Sequence, residues 1–248
     1  MKLKIIITLL LFLFSLCYLH QSTIFIKQND ALMKEIERKQ SLYNTKEVNA
    51  IITLHTMIPG ISGKKVNLDK SYQKMKKLNK FNESLLVYDT ITPSSNIQDI
   101  YDKVIISGNK QKNNISLVIK VDNQKLFNLI NSVLIDNNVY VDILSSDNYS
   151  LLNTHYQSIL SEKYYSFTNY CLTNDINIIK ECQINKKKTV LGISINNYYL
   201  SKTKELVQNG VILVYHFNEN NYQELNVIIH YLKNNNYYIV PISELINE

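Results

Sequence analysis

Residues 115–144, ISLVIKVDNQKLFNLINSVLIDNNVYVDIL, decide how the rest of the chain is read. ISLVIKV is an apolar strand. Leu126, Ile130, Val133 and Leu134 then recur at helical spacing on one face, and VYVDIL is a second apolar strand. Strands that are apolar along their whole length suit a sheet covered on both faces. A helix between two of them points to parallel pairing.

The alternation continues downstream. Leu151, Leu152, Ile159 and Leu160 read as a helix, followed by the stretch YSFTNYCL and a helix carrying Ile176, Ile179 and Cys182. The strand KTVLGISI comes next, then a helix closed by Asn209-Gly210, with the glycine as its left-handed terminator. The strand VILVYHF, a helix with Leu225, Ile228, Ile229 and Leu232 at i, i+3, i+4 and i+7, and the strand YYIVPI complete the series. The expected class is α/β, a largely parallel sheet or an irregular barrel.

Upstream, NKQKNN (109–114) has no apolar residue and reads as a connector. Before it lie the strand EVNAIITLHT, a Pro59-Gly60 turn and a helix capped by Asp69 with Tyr72, Met75 and Leu78 on one side. An extended piece over 85–91 and the strand KVIISG follow. This gives a small α+β lobe at 47–112, preceded by a polar helix at 27–46 that reads as a stalk, and an α/β domain at 113–248.

At the N-terminus, Lys2 and Lys4 precede an apolar run from Ile5 that continues to Ile26. That is about the 20 residues a bilayer-spanning helix needs. No Ala-x-Ala-like pair follows Leu19, and Leu16 stands where a lipobox before Cys17 has a small residue. Residues 1–26 therefore read as an uncleaved transmembrane anchor, with the basic stub cytoplasmic and the main domain outside.

The 248 residues are 45% hydrophobic and 19% charged, a folded rather than a disordered composition. The net charge of +6 comes from lysines spread along the sequence, which argues for a solvated surface and against a nucleic-acid partner. Of the 3 cysteines, Cys171 and Cys182 lie outside the anchor segment, either as a disulfide or as two buried thiols.

The segments GVILVYHF and LKNNNYYIVPISELI resemble the end of the polysaccharide deacetylase (NodB-homology) family. IPGISGKKVNLDKSYQKMKK, YDKVIISGN and YCLTND extend the resemblance to anchored deacetylase-like proteins of low-GC Gram-positive bacteria and their wall-less relatives. Family members hold a divalent metal with one Asp and two His, and use a second Asp as base and a late His as acid. The resemblance places IKVDN at the first motif, where Asp122 matches the metal-binding Asp and Val121 replaces the base. In SFTNYCLTN, Tyr170 and Asn174 stand where the two histidines are expected, and His216 in LVYHF matches the acid. Read without the family, Asp122 is an N-cap for the helix beginning near Lys125, and His216 is a strand residue of the core.

The resemblance implies a degenerate, inactive relative that needs no cofactor and binds or organises cell-envelope glycan, with Tyr164, Tyr165 and Tyr170 stacking on sugar. Two alternatives stay open. One is an active deacetylase whose zinc is held by His155, Asp122 and His216. The other is a tethered domain that docks another protein.

Overall fold

The computed structural model describes Phe14, Ser15, Phe25 and residues 27–145, 157–161 and 170–248, with only the backbone of 157–161. The expected anchor therefore lies almost wholly outside the described residues. Among those residues no helix is long and apolar enough to cross a membrane.

In chain order the elements are α1 (Ala31–Tyr43), β1 (Ile51–Ile52), β2 (Thr56–Ile58), β3 (Gly63–Val66), α2 (Leu68–Met75), β4 (Tyr88–Ile91) and β5 (Val104–Ile105). They continue with β6 (Asn114–Val121), α3 (Gln124–Asn137), β7 (Val141–Ser145), β8 (Gln157–Ser161) and β9 (Tyr170–Leu172). The last are α4 (Ile176–Ile184), β10 (Lys188–Val190), β11 (Ile193–Ile195), α5 (Tyr199–Leu206), β12 (Ile212–His216), α6 (Glu224–Asn234), β13 (Tyr238–Ile239) and α7 (Ile242–Leu245).

The chain divides into two compact units, residues 1–47 with 62–91, and residues 48–61 with 92–248. This partition differs from the expected lobe at 47–112. Segments 48–61 and 92–112 go with the larger unit because β2 and β5 are strands of its sheet, paired in parallel onward to β10. The expected stalk also differs: α1 packs Leu32, Met33 and Ile36 against Val66, Tyr72, Met75 and Leu86. Asp30 caps α1, accepting from the Leu32 backbone N–H, and the Tyr72 hydroxyl donates to it at 3.0 Å. Asn67, not Asp69, caps α2; Asp69 sits in the first turn and pairs with Lys27.

The larger unit holds a parallel sheet ordered β11-β12-β6-β7-β8, with β13 also beside β6, and a second sheet ordered β1-β2-β5-β10-β9. One face of the first sheet carries Leu117, Ile119, Val121, Ile143, Leu213 and Tyr215 against the helices α3, α5 and α6. The opposite face carries Val118, Leu144, Ile212 and Val214 against Met57, Ile105 and Val190 of the second sheet and the short helix α7. Alternation by two along each strand sorts the side chains between these cores. The α/β class and parallel sheet are as expected.

Three elements depart from the expected pattern. Ile159 and Leu160 lie on β8, paired with Ile143 and Leu144 of β7, and not on a helix; a short apolar run does not distinguish the two by periodicity. KTVLGISI splits at Gly192 into β10 and β11, which belong to different sheets. A Cβ on Gly192 would sit 2.5 Å from Val214 Cγ2. Finally, α5 ends before Gly210, whose positive φ of 80° serves a different contact. Gly210 accepts from the Gly108 N–H at 2.8 Å, and a Cβ there would lie 2.3 Å from the Gly108 oxygen.

Candidate functional site

Parallel sheets present their C-terminal strand ends as the natural place for a ligand. Here β6 ends at Val121, and Asp122 follows it, exposed. Asn123 then caps α3, its side chain accepting from the Leu126 N–H at 2.8 Å, so the capping expected of Asp122 belongs to its neighbour. Lys125 pairs with Glu219 beside this end.

Register places a row of side chains across three strands, because Lys120 pairs with His216 on β12 and with Leu144 on β7. Leu144 lies in the core between the two sheets, and so do Ile212 and Val214, which share parity with His216. Lys120 and His216, both half-buried, thus stand side by side at the C-terminal end of that face. The backbone oxygen of His216 accepts from the Tyr199 hydroxyl at 2.6 Å, which fixes the strand end. Burial raises the pKa of Tyr199, keeping it a neutral donor.

Tyr170 is elsewhere. Its hydroxyl donates a long 3.5 Å bond to Oδ1 of Asp142, a fully buried carboxylate on β7 whose Oδ2 accepts from the Ile242 N–H at 2.6 Å. Asp142 pairs with Val118, four residues before Asp122. At roughly 3.3 Å per residue, that puts the Tyr170 hydroxyl about 13 Å down the sheet from Asp122. The structure therefore sets Lys120 beside His216, leaves Asp122 two residues beyond that pair, and holds the Tyr170 hydroxyl at Asp142. Tyr164, Tyr165 and His155 lie outside the described residues.

Tyr170 instead lines a cleft of about 540 Å³ at the N-terminal ends of β9 and β10, with Tyr101, Lys186, Lys187, Lys188 and Glu248. The Lys188 ammonium donates to the backbone oxygens of Ile97 and Gln98 and sits 5.3 Å from the Tyr101 ring centre. Burial lowers its pKa, opposed by the charges of Glu248 and Asp99. A disulfide between Cys171 and Cys182 joins β9 to α4 behind this cleft.

A catalytic zinc of the family type needs three protein ligands with room for water. Among the described residues no group of three or more His, Cys, Asp or Glu side chains is placed to hold a metal ion. Val121, in the position of the base, is fully buried and faces the helices. Asp122 and His216 would be two of the ligands in such a three-ligand set, and His155, the third considered, lies outside the described residues. Sequence reasoning had passed over Lys120 and Asp142; each is a charge inside an otherwise apolar strand, and that was the available signal.

No family model matches the chain. Solved structures of a carbohydrate esterase family 4 (CE4) pseudoenzyme from Bacillus anthracis share its fold. The wild type is 20% identical with a TM-score of 0.63, covering 89% of this chain and 96% of that one. A mutant of that pseudoenzyme with restored enzymatic activity is 19% identical at a TM-score of 0.63, covering 88% and 98%. The chain thus has the fold that the polysaccharide deacetylase resemblance implies. An uncharacterised protein, YlxY of Bacillus subtilis (strain 168), is 38% identical over 93 residues, 37% of this chain. The matched segment spans only 29% of the length of YlxY.

Proposed function

We propose that this chain is a membrane-anchored, extracytoplasmic relative of the CE4 deacetylases that binds cell-envelope glycan without hydrolysing it. The observation that carries this reading is the polar C-terminal end of the sheet, where Lys120 adjoins His216 and Asp122 follows β6. Lys120 and His216 keep that end polar, with donors suited to sugar hydroxyls. The likeness in fold to a pseudoenzyme from Bacillus anthracis supports the reading. A disulfide supports an oxidising compartment, hence the outer side of the membrane. The apolar run to Ile26 supports the anchor.

The test uses the full chain in detergent with N-acetylglucosamine oligomers. Binding without release of acetate is expected, and Lys120→Ala should weaken the binding. Acetate release that requires zinc and is lost in Asp122→Ala would overturn the proposal and favour the active alternative. A mutant of the Bacillus anthracis pseudoenzyme has restored enzymatic activity. In this chain Val121→Asp is expected to give no turnover, because its carboxylate enters the core beneath the helices.

A further inference from the structure

Once the chain is divided into its two units, its charge is far from even. Without Lys2 and Lys4, which the anchor reading puts across the membrane, the smaller unit has twelve Lys or Arg against seven Asp or Glu, net +5. The larger has thirteen against fourteen, net −1. The basic residues are nearly equal in number in the two units, and the excess of positive charge belongs to the smaller one because it holds half as many acids.

Within it, residues 64–80 hold Lys64, Lys65, Lys70, Lys74, Lys76, Lys77 and Lys80 against one acid, Asp69. All seven lysines are exposed, on β3, on α2 and on the turn after it. Asp69 is taken by Lys27, and Lys70 lies 4.0 Å from Asp89. Among the described residues Lys64, Lys65, Lys74, Lys77 and Lys80 have no carboxylate within ion-pair distance. Such a surface repels itself and weakens the compact state, and an anionic partner removes that repulsion.

The place of this unit in the chain selects the partner. Its first helix, α1, begins at Ala31, five residues beyond Ile26, the end of the proposed anchor. A tether that short, roughly 17 Å even when extended, holds the unit close to the bilayer. The screening length in physiological salt is about 8 Å, so charge attraction to the surface operates over just such short separations. Anionic headgroups are a flat, dense array of phosphates, which suits lysines spread over an exposed strand and helix.

We propose that the exposed lysines of segment 64–80 dock on the anionic phospholipid headgroups of the membrane that holds the chain. The inference rests on the anchor reading for its location, and the experiment separates the two. The full chain is reconstituted in phosphatidylcholine vesicles, with or without about 30% phosphatidylglycerol, floated, and labelled with a water-soluble lysine acylating reagent read by mass spectrometry.

Flotation with neutral vesicles supports the anchor. Labelling at residues 64–80 should fall about fivefold with phosphatidylglycerol, recover in roughly 0.5 M salt, and stay constant at Lys110 and Lys202. Replacing Lys64, Lys65, Lys74 and Lys77 together by Gln should abolish protection of Lys70, Lys76 and Lys80, and the exposed positions leave the fold intact. Flotation with anionic vesicles alone upholds the docking proposal and rejects the anchor. Equal labelling in both vesicles overturns the docking proposal while leaving the anchor in place. Protection by a soluble poly(glycerol phosphate) but not by phosphatidylglycerol also overturns it, in favour of a wall polymer.

Discussion

Two aspartates, Asp142 on β7 and Asp122 just past β6, mark the two ends of the parallel sheet in the larger unit. Asp142, toward the N-terminal end, is fully buried, and its oxygens accept from the Ile242 N–H and the Tyr170 hydroxyl. Asp122, past the C-terminal end, is exposed beside a helix cap made by Asn123. The position that resembles the metal ligand is therefore the less embedded of the two. The carboxylate that the fold depends on is the one that ties β7 to α7 and β9. The lower end is built for cohesion, and the upper end is a polar surface.

The largest expected effect is Asp142→Ala. It leaves the Ile242 N–H and the Tyr170 hydroxyl without their acceptor in a buried place, and should cost about 3 kcal/mol or more in urea unfolding of the full chain. Asp142→Asn keeps an acceptor and should cost clearly less. A loss as small for Ala as for Asn would break the contrast between the two ends.

Reducing the Cys171–Cys182 disulfide comes next. Closing a loop with sequence separation 11 corresponds to about 3 kcal/mol in the chain-entropy account. The matching fall in melting temperature should be visible by circular dichroism with and without reductant.

Lys188, at the same lower end, gives a pH signature. Its folded pKa lies below 10.5, mainly through burial. The charged form is the one that folding disfavours, so the cost is present at neutral pH and fades as the pH rises through the lowered value toward 10.5. The stability difference between the wild type and Lys188→Met should therefore shift in favour of the wild type across that window. A difference independent of pH would remove burial as the cause.

Smallest of all, Asp122→Ala should change stability by less than about 0.5 kcal/mol, as for an exposed site outside any network. A large loss would place Asp122 in a bonded cluster and erase the contrast.

The parts of this molecule that could be read from sequence are those whose signal is local. The run from 115 to 144 folds as expected because apolar strand, helical spacing and strand follow one another without ambiguity. The split of KTVLGISI at Gly192 is not legible, because it depends on which strands each half pairs with, β5 and β9 for one and β12 for the other. The same is true of β2 and β5, which look like part of a small lobe and instead pair onward to β10.

The strand-end site was legible as residues and not as geometry. Asp122 and His216 were found by resemblance, but only register shows that Lys120 adjoins His216 and that Tyr170 turns toward Asp142. The uneven net charge of the two units is not legible in the sequence, because it depends on which separated segments share a unit.

The most direct measurement is zinc stoichiometry of the purified full chain by elemental analysis after equilibration with zinc and gel filtration, with Asp122→Ala in parallel. Well under one ion per chain and no difference between the two proteins are expected. One tightly held ion per chain in the wild type, lost with Asp122→Ala, would contradict the proposed function.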